Sequence, residues 1–417
     1  MYYKDLTDQQ INNISYLLEF AKKSELDNAH QLFPEIIKKN KLAQYRNSVL
    51  QAIMHNNIPI EIFQNWLNNL KLNADNSIAH YEYSSELNTK IFSKAFLEDA
   101  LAQKNSILNI NRDNLNEFKL YDVEEIEQQL LFKFVMPAMR INPKYNSQLP
   151  NKENFLEKSL FFSYAWFDKS DSSLTLSVPN TEGYKSIFKE TKSRKFLSSV
   201  LTYILEFFKN EMYLELKFLP SHWVNNSLRT IALEYYSHNN PIIDEELESI
   251  KQNLSDFVKS ENPLNQLCSL STSIDTDVAK KRILNTLLLS IEKELIVTHD
   301  VNVNSDCKFE VFLQEVNKGA TTFTSKNSFS ENPSLHMFDV RDIILNILDK
   351  ATIKSIGLRY KSEIGLVVPY KFSCKEYYFL LEPLTTKQIE RELVRDVLCQ
   401  FKSYKENVKN RLVSKHL

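Results

Sequence analysis

Leu160-Phe161-Phe162-Ser163-Tyr164-Ala165-Trp166-Phe167, Asp168-Lys169-Ser170-Asp171, Leu174-Thr175-Leu176-Ser177-Val178: this stretch decides how the chain is read. Two aromatic or aliphatic runs flank a short polar break, which predicts a β-hairpin. Neighbouring strand residues point to opposite faces. The adjacent aromatics Phe161, Phe162, Tyr164, Trp166 and Phe167 therefore predict a strand buried on both sides, in preference to a base-stacking platform.

Upstream of the hairpin, residues 141–154 are polar and punctuated by Pro143 and Pro150, and a domain boundary is placed there. The segment before it reads as helices. Thr7-Asp8-Gln9-Gln10 has the form of a capping box. Apolar residues recur at helical spacing from Ile11 to Ala21 and again near 42–55, 59–71, 77–103 and 122–139. Pro59 suits a first helical turn, and Pro137 predicts a kink or an end. Downstream, a helix is expected near 185–209, apolar on nearly all sides from Phe196 to Phe208. Met212–Leu219 reads as a strand and 225–292 as helix, broken by a loop at Asn262-Pro263.

The last third mixes both classes. Glu294–Val303 and Lys308–Val316 read as strands, and 317–334 reads as a long polar loop. Asp339–Lys350 reads as a helix. Ile353–Tyr360, Ile364–Phe372 and Glu376–Leu381 form a meander, and a long helix starts near Thr386. The expectation is an α+β fold that is predominantly helical. It has a helical domain at 1–142, a hairpin-helix-strand segment with a helical extension at 155–292, and an α+β domain at 293–417 ending in the long helix.

Composition narrows the function classes. The chain has 417 residues but only 4 glycines, Gly183, Gly319, Gly357 and Gly365. No second glycine stands at the distance that a Walker loop, a dinucleotide fingerprint or a kinase glycine loop needs. Tight turns and barrel corners lean on glycine, so all-β and doubly wound folds lose ground. Charge is balanced, with 51 basic and 53 acidic residues, so no bulk field favours nucleic acid or an anionic membrane. No signal-peptide layout and no long apolar span is seen, which predicts a cytoplasmic protein without membrane contact. Cys268, Cys307, Cys374 and Cys399 are widely spaced and suit reduced, mostly buried thiols.

No pair among the 8 histidines has zincin spacing, and no GxSxG elbow occurs. No metal site and no cofactor are predicted. The sharpest catalytic pattern is Glu215-Leu216-Lys217, which puts a carboxylate and an ammonium on one face of the expected strand. With Asp168, or else Asp171, as a second acid it would resemble the centre of a Mg²⁺-dependent nuclease. The order is unusual for such a centre, because a helix separates the two acids.

Two basic clusters are candidates for phosphate contact. Lys189, Lys192, Arg194 and Lys195 gather at the start of the central helix, where cations oppose the helix dipole. Lys402, Lys405, Lys409 and Arg411 decorate the terminal helix, where cations suit it.

Arg359-Tyr360, Val368-Pro369-Tyr370 and Tyr377-Tyr378 are faintly similar to the ligand-sensing WYL domains of bacterial regulators. The tripeptide itself is missing and a long helix stands where later strands belong, so no expectation is drawn from the similarity. The expected function is a non-catalytic interaction subunit of a cytoplasmic bacterial complex, with other protein subunits as partners and DNA or RNA as a candidate. The asparagine- and lysine-heavy usage fits an AT-rich genome and an accessory, phage-defence type of system. A metal-dependent nuclease and a secreted effector are the alternatives.

Overall fold

The computed structural model describes residues 3–113, 115–141, 156–187, 196–236, 241–259, 276–299, 307–318, 321–326 and 352–414. They fall into two compact units, Met1–His222 with Val368–Cys399, and Trp223–Val367 with Gln400–Leu417. In chain order the elements begin with α1 (Asp8–Leu18), α2 (Lys23–Leu32), α3 (Leu42–Met54), α4 (Ile60–Asn68), β1 (Ser77–Glu82), α5 (Asn88–Ile91) and α6 (Lys94–Ala102). Then come β2 (Lys119–Ile126), β3 (Gln129–Ile141), β4 (Leu156–Asp168), β5 (Ser173–Val178), β6 (Tyr184–Ser186) and α7 (Phe196–Asn210). The rest are α8 (Trp223–Tyr236), α9 (Pro241–Lys259), α10 (Thr276–Thr298), β7 (Phe309–Lys318), β8 (Thr321–Lys326), β9 (Thr352–Lys361), β10 (Val367–Cys374), β11 (Tyr378–Pro383) and α11 (Arg391–Ser414).

The expected hairpin is present and central. β4 and β5 pair antiparallel from Tyr164↔Ser177 to Asp168↔Ser173. Around them the first unit builds a sheet in the order β2-β3-β4-β5-β1-β11-β10, with β6 also paired to β3. One face carries Phe132, Phe134, Phe161, Ala165 and Phe167, packed with Phe96 of α6 and with Val200, Ile204 and Phe208 of α7. The opposite face meets the first four helices and the loop after α4. Phe162 packs edge-on against Phe20 at 5.3 Å, the Tyr121 hydroxyl donates to the Asn68 carbonyl at 3.1 Å, and the Tyr164 hydroxyl donates to the Leu70 carbonyl. The Thr7–Gln10 capping box forms as expected.

The helix expected at 122–139 is instead the hairpin β2–β3, and 77–82 of the expected 77–103 helix is β1. The fold is α+β, but it is not predominantly helical. The physical reason lies in burial. From Gln129 to Ala138 every residue of β3 is buried, because helices cover both faces of the sheet. A strand buried on both faces has no polar–apolar alternation to read. Pro137 also fits a strand here. On one edge of β3 the β2 register begins at Val135 and the β6 register begins at Ala138, so no strand on that edge pairs with the proline.

Gly183 and Gly365 take positive φ, 79° and 77°, in their turns, but other turns do so without glycine. Glu127 in the β2–β3 turn and Ser172 in the β4–β5 turn sit at φ 53° and 52°, and Asn56 and Lys71, after α3 and α4, at 59° and 65°. Met212–Leu219 is not a strand of the sheet; among the described residues Phe218 makes one isolated bridge, to Tyr83.

The second unit contains the antiparallel set β8-β7-β9, with α8, α9, α10 and most of α11. Phe309 of β7 packs with Phe401 and Tyr404 of α11. Gly357 is required by close approach, since a Cβ there would lie 2.6 Å from the Leu313 Cβ. Two expectations are corrected. Glu294–Thr298 belongs to α10, not to a strand, and β8 lies inside the stretch expected as loop. Asn262-Pro263, Gly319 and the helix expected at 339–350 lie outside the described residues.

Candidate functional site

Asp168 ends β4 and is buried. Its Oδ1 accepts the Ser170 amide at 2.9 Å and the Ser170 hydroxyl at 2.5 Å, and its Oδ2 accepts Gln129 Nε2 at 2.5 Å. Burial raises the carboxyl's pKa, but these hydrogen bonds and the Arg395 charge outweigh it, so the group stays below its ordinary value. The oxygens that would face a metal instead hold the hairpin turn.

Glu215 and Lys217 are both exposed, on a segment that does not form the expected strand. They line an open groove of about 540 Å³ with Glu86, Lys90 and Lys209, and Asp168 is not part of that lining. The structure thus brings Glu215 and Lys217 together and does not bring Asp168 to them. Among the described residues no group of three His, Cys, Asp or Glu is placed to hold a metal ion.

Lys189, Lys192, Arg194 and Lys195 lie outside the described residues. Lys402, Lys405, Lys409 and Arg411 are all on α11, and the side chains of the last two are also outside the description. Lys402 and Lys405 are half-buried, and the Lys405 ammonium sits 5.1 Å from the Trp223 ring centroid. A cation stacked on an indole has a packing role. The aromatic run of β4 is buried on both faces, from Phe161 to Phe167, as its alternation requires. Of the cysteines described, Cys307 and Cys374 are half-buried and Cys399 is exposed, so buried thiols are not what this chain has there.

Two features were not singled out in the sequence. The first is a cavity of about 340 Å³ floored by Phe20, Phe161, Phe162 and Tyr184, with Lys22, Lys71 and Asp75 at its polar side. Lys22 pairs with Asp75 at 2.9 Å. The Glu25 carboxylate accepts the Lys22 and Lys71 backbone amides, each at 2.7 Å, and lies 3.9 Å from the Lys71 ammonium. Burial lowers the Lys71 pKa, and Glu25 works against that shift. A lysine so placed could serve as an amine base. No histidine, serine or cysteine lines the cavity to complete a nucleophile–base pair, and of the acids lining it Asp75 is already paired with Lys22.

The second feature is the surface of α9 and α10. Leu284, Leu287, Leu288, Ile291 and Leu295 recur on one face of α10 at helical spacing. Yet no described side chain of this 23-residue helix is buried, and in α9 Ile243 alone among the described side chains is. Leu287 is 37% exposed. Such a stripe could have been found in the sequence, but its exposure could not.

No helix among the described residues is long and apolar enough to cross a membrane. No protein-family profile matches the chain, and no curated protein sequence matches it.

Proposed function

We propose that this chain is a non-catalytic interaction subunit of a cytoplasmic bacterial multiprotein complex, docking through α9 and α10. The observation that carries the reading is the unburied leucine and isoleucine stripe of α10. A helix of this length normally hides such a stripe, because each leucine or isoleucine taken from water contributes about 1.5–3 kcal/mol. The stripe is left half-buried at Leu284, Leu288, Ile291 and Leu295 and exposed at Leu287, and a contiguous apolar face that is not hidden supports an interaction surface. The buried turn-holding role of Asp168 and the stacked Lys405 weigh against a nuclease and against a phosphate-binding terminal helix.

Cross-linking mass spectrometry on the tagged full chain, purified from its native host, tests the proposal. Cross-links to a protein chain should concentrate on Lys280, Lys281 and Lys251, which flank the stripe. Cross-links confined to other surfaces, or a chain recovered with no assembly at all, would overturn it.

A further inference from the structure

Resting on that interaction reading, we propose that the partner is a second copy of this chain, joined through α9 and α10 in an antiparallel four-helix bundle about a twofold axis. The two helices of one copy already run antiparallel. His299 Nε2, just past the end of α10, lies 3.2 Å from Glu246 Oε1 near the start of α9. That arrangement sorts charge by end. Glu245, Glu246 and Glu248 stand at one end of the pair, and Lys280, Lys281 and Arg282 stand toward the other. Glu245, Glu248, Lys281 and Arg282 are exposed.

A helix pair acidic at one end and basic at the other is complementary to itself when turned end for end. In a twofold interface each patch meets its counterpart in reverse order, so each acidic end faces a basic end. A parallel alignment would set like charge on like charge. Between the charged ends lie Leu284, Leu287, Leu288 and Ile291 of α10 with the half-buried Leu247, Ile250 and Leu254 of α9. Residues spaced in this way form the ridges by which antiparallel helices interlock.

The size is sufficient. Helices of 19 and 23 residues are about 30 Å long at about 1.5 Å per residue, and two side by side are about 20 Å wide. The face is then about 600 Å² per copy, or roughly 1,200 Å² in all, the lower end of stable specific interfaces.

Light scattering after size exclusion, on the full chain over a wide concentration range, reads the result. Twice the 48.9 kDa chain mass is expected at high concentration. Leu284→Asp with Leu287→Asp should return the monomer mass. Reversing one end alone, by Lys280→Glu, Lys281→Glu and Arg282→Glu, or by Glu245→Lys, Glu246→Lys and Glu248→Lys, should also give monomers. Mixing the two charge-reversed proteins should restore the double mass, because each then carries one sign at both ends. None of those positions is buried, and circular dichroism establishes that every variant is folded. A wild-type monomer at all concentrations, or a double mass indifferent to these variants, overturns the second copy as partner. If the wild type is monomeric but host cross-links from α10 to another protein persist, the interaction reading survives without this partner. If both are absent, both fail.

Discussion

Lys133→Met probes how the sheet is tied to the N-terminal helices. The Lys133 side chain is 1% exposed, and its ammonium donates to Asn69 Oδ1 at 2.9 Å, Glu124 Oε2 at 2.9 Å and Asp122 Oδ2 at 3.0 Å. Breaking a buried ion pair costs about 3–5 kcal/mol when it strands the opposite charge. Here the charge is only half stranded. Asp122 keeps Lys104 at 2.6 Å, and the Glu124 side chain is 44% exposed to water. Methionine also keeps the packing of the stem. What is lost is the bond to Asn69 and the charged contact to Asp122, together about 2–3 kcal/mol.

Urea unfolding followed by tryptophan fluorescence in a Trp223→Phe background reports on this unit, because Trp66 and Trp166 remain and both lie in it. Repeating the substitution in an Asn69→Ala background closes a double-mutant cycle. The expected coupling is about 1 kcal/mol, the size of the shared bond. A loss below about 0.5 kcal/mol, or no coupling to Asn69, would refute the reasoning, since surface pairs behave that way.

Glu127→Gly should stabilise the first unit by about 1 kcal/mol, because glycine removes the left-handed strain at φ 53° and no Glu127 packing is lost at this exposed position. An unchanged or lower melting temperature would argue against strain in that turn. Gly357→Ala should cost the second unit about 1–3 kcal/mol through the clash with Leu313. Faster amide exchange in β7 and β9 with β1–β5 unaffected is the expected signature. Asp168→Asn should cost about 1–3 kcal/mol at neutral pH, because one of the two acceptor oxygens becomes a donor facing Gln129. The native pKa of Asp168 is depressed, so its stabilisation is fully present above the ordinary carboxyl value of 3.8. That stabilisation is lost as pH falls through the native value, and the gap between wild type and variant should close there. A gap independent of pH would mean that the carboxylate charge does not hold the turn.

Legibility in the sequence followed exposure. The hairpin β4–β5 was readable because its polar break, Asp168-Lys169-Ser170-Asp171, is exposed from Lys169 to Asp171 between two apolar runs. α3 and α4 were readable because each has one wet side. β3 was not, since the same two-sided burial that makes it the centre of the sheet erases its period. The turn Glu127-Gln128 added to the confusion, as both residues favour helices and neither is a usual hairpin residue. At the candidate site, Asp168 was visible as an acid. Its fate as a turn cap was visible too, in the serine two residues on, which is the spacing of an Asx turn. The α10 stripe was visible only as a stripe. Whether a helix hides its leucines inside its own chain or presents them to another depends on what lies opposite, and no local pattern encodes that.

Glycine scarcity has one meaning for ligands and another for topology. A phosphate loop needs glycine because a Cβ would occupy the space where the anion meets the backbone amides, and no surrounding structure can offset that overlap. A hairpin turn needs only a positive φ. For an ordinary residue that costs about 1–2 kcal/mol, a sum that one buried aromatic pair and its neighbours can offset. Glu127 and Ser172 sit beside strands whose Phe132, Phe134 and Phe167 are fully buried, so the sheet holds both turns in place despite the strain. The four glycines therefore constrain which ligands the backbone can approach far more tightly than which strands it can join. Few glycines therefore speak against a glycine-loop phosphate site, but they do not imply few strands.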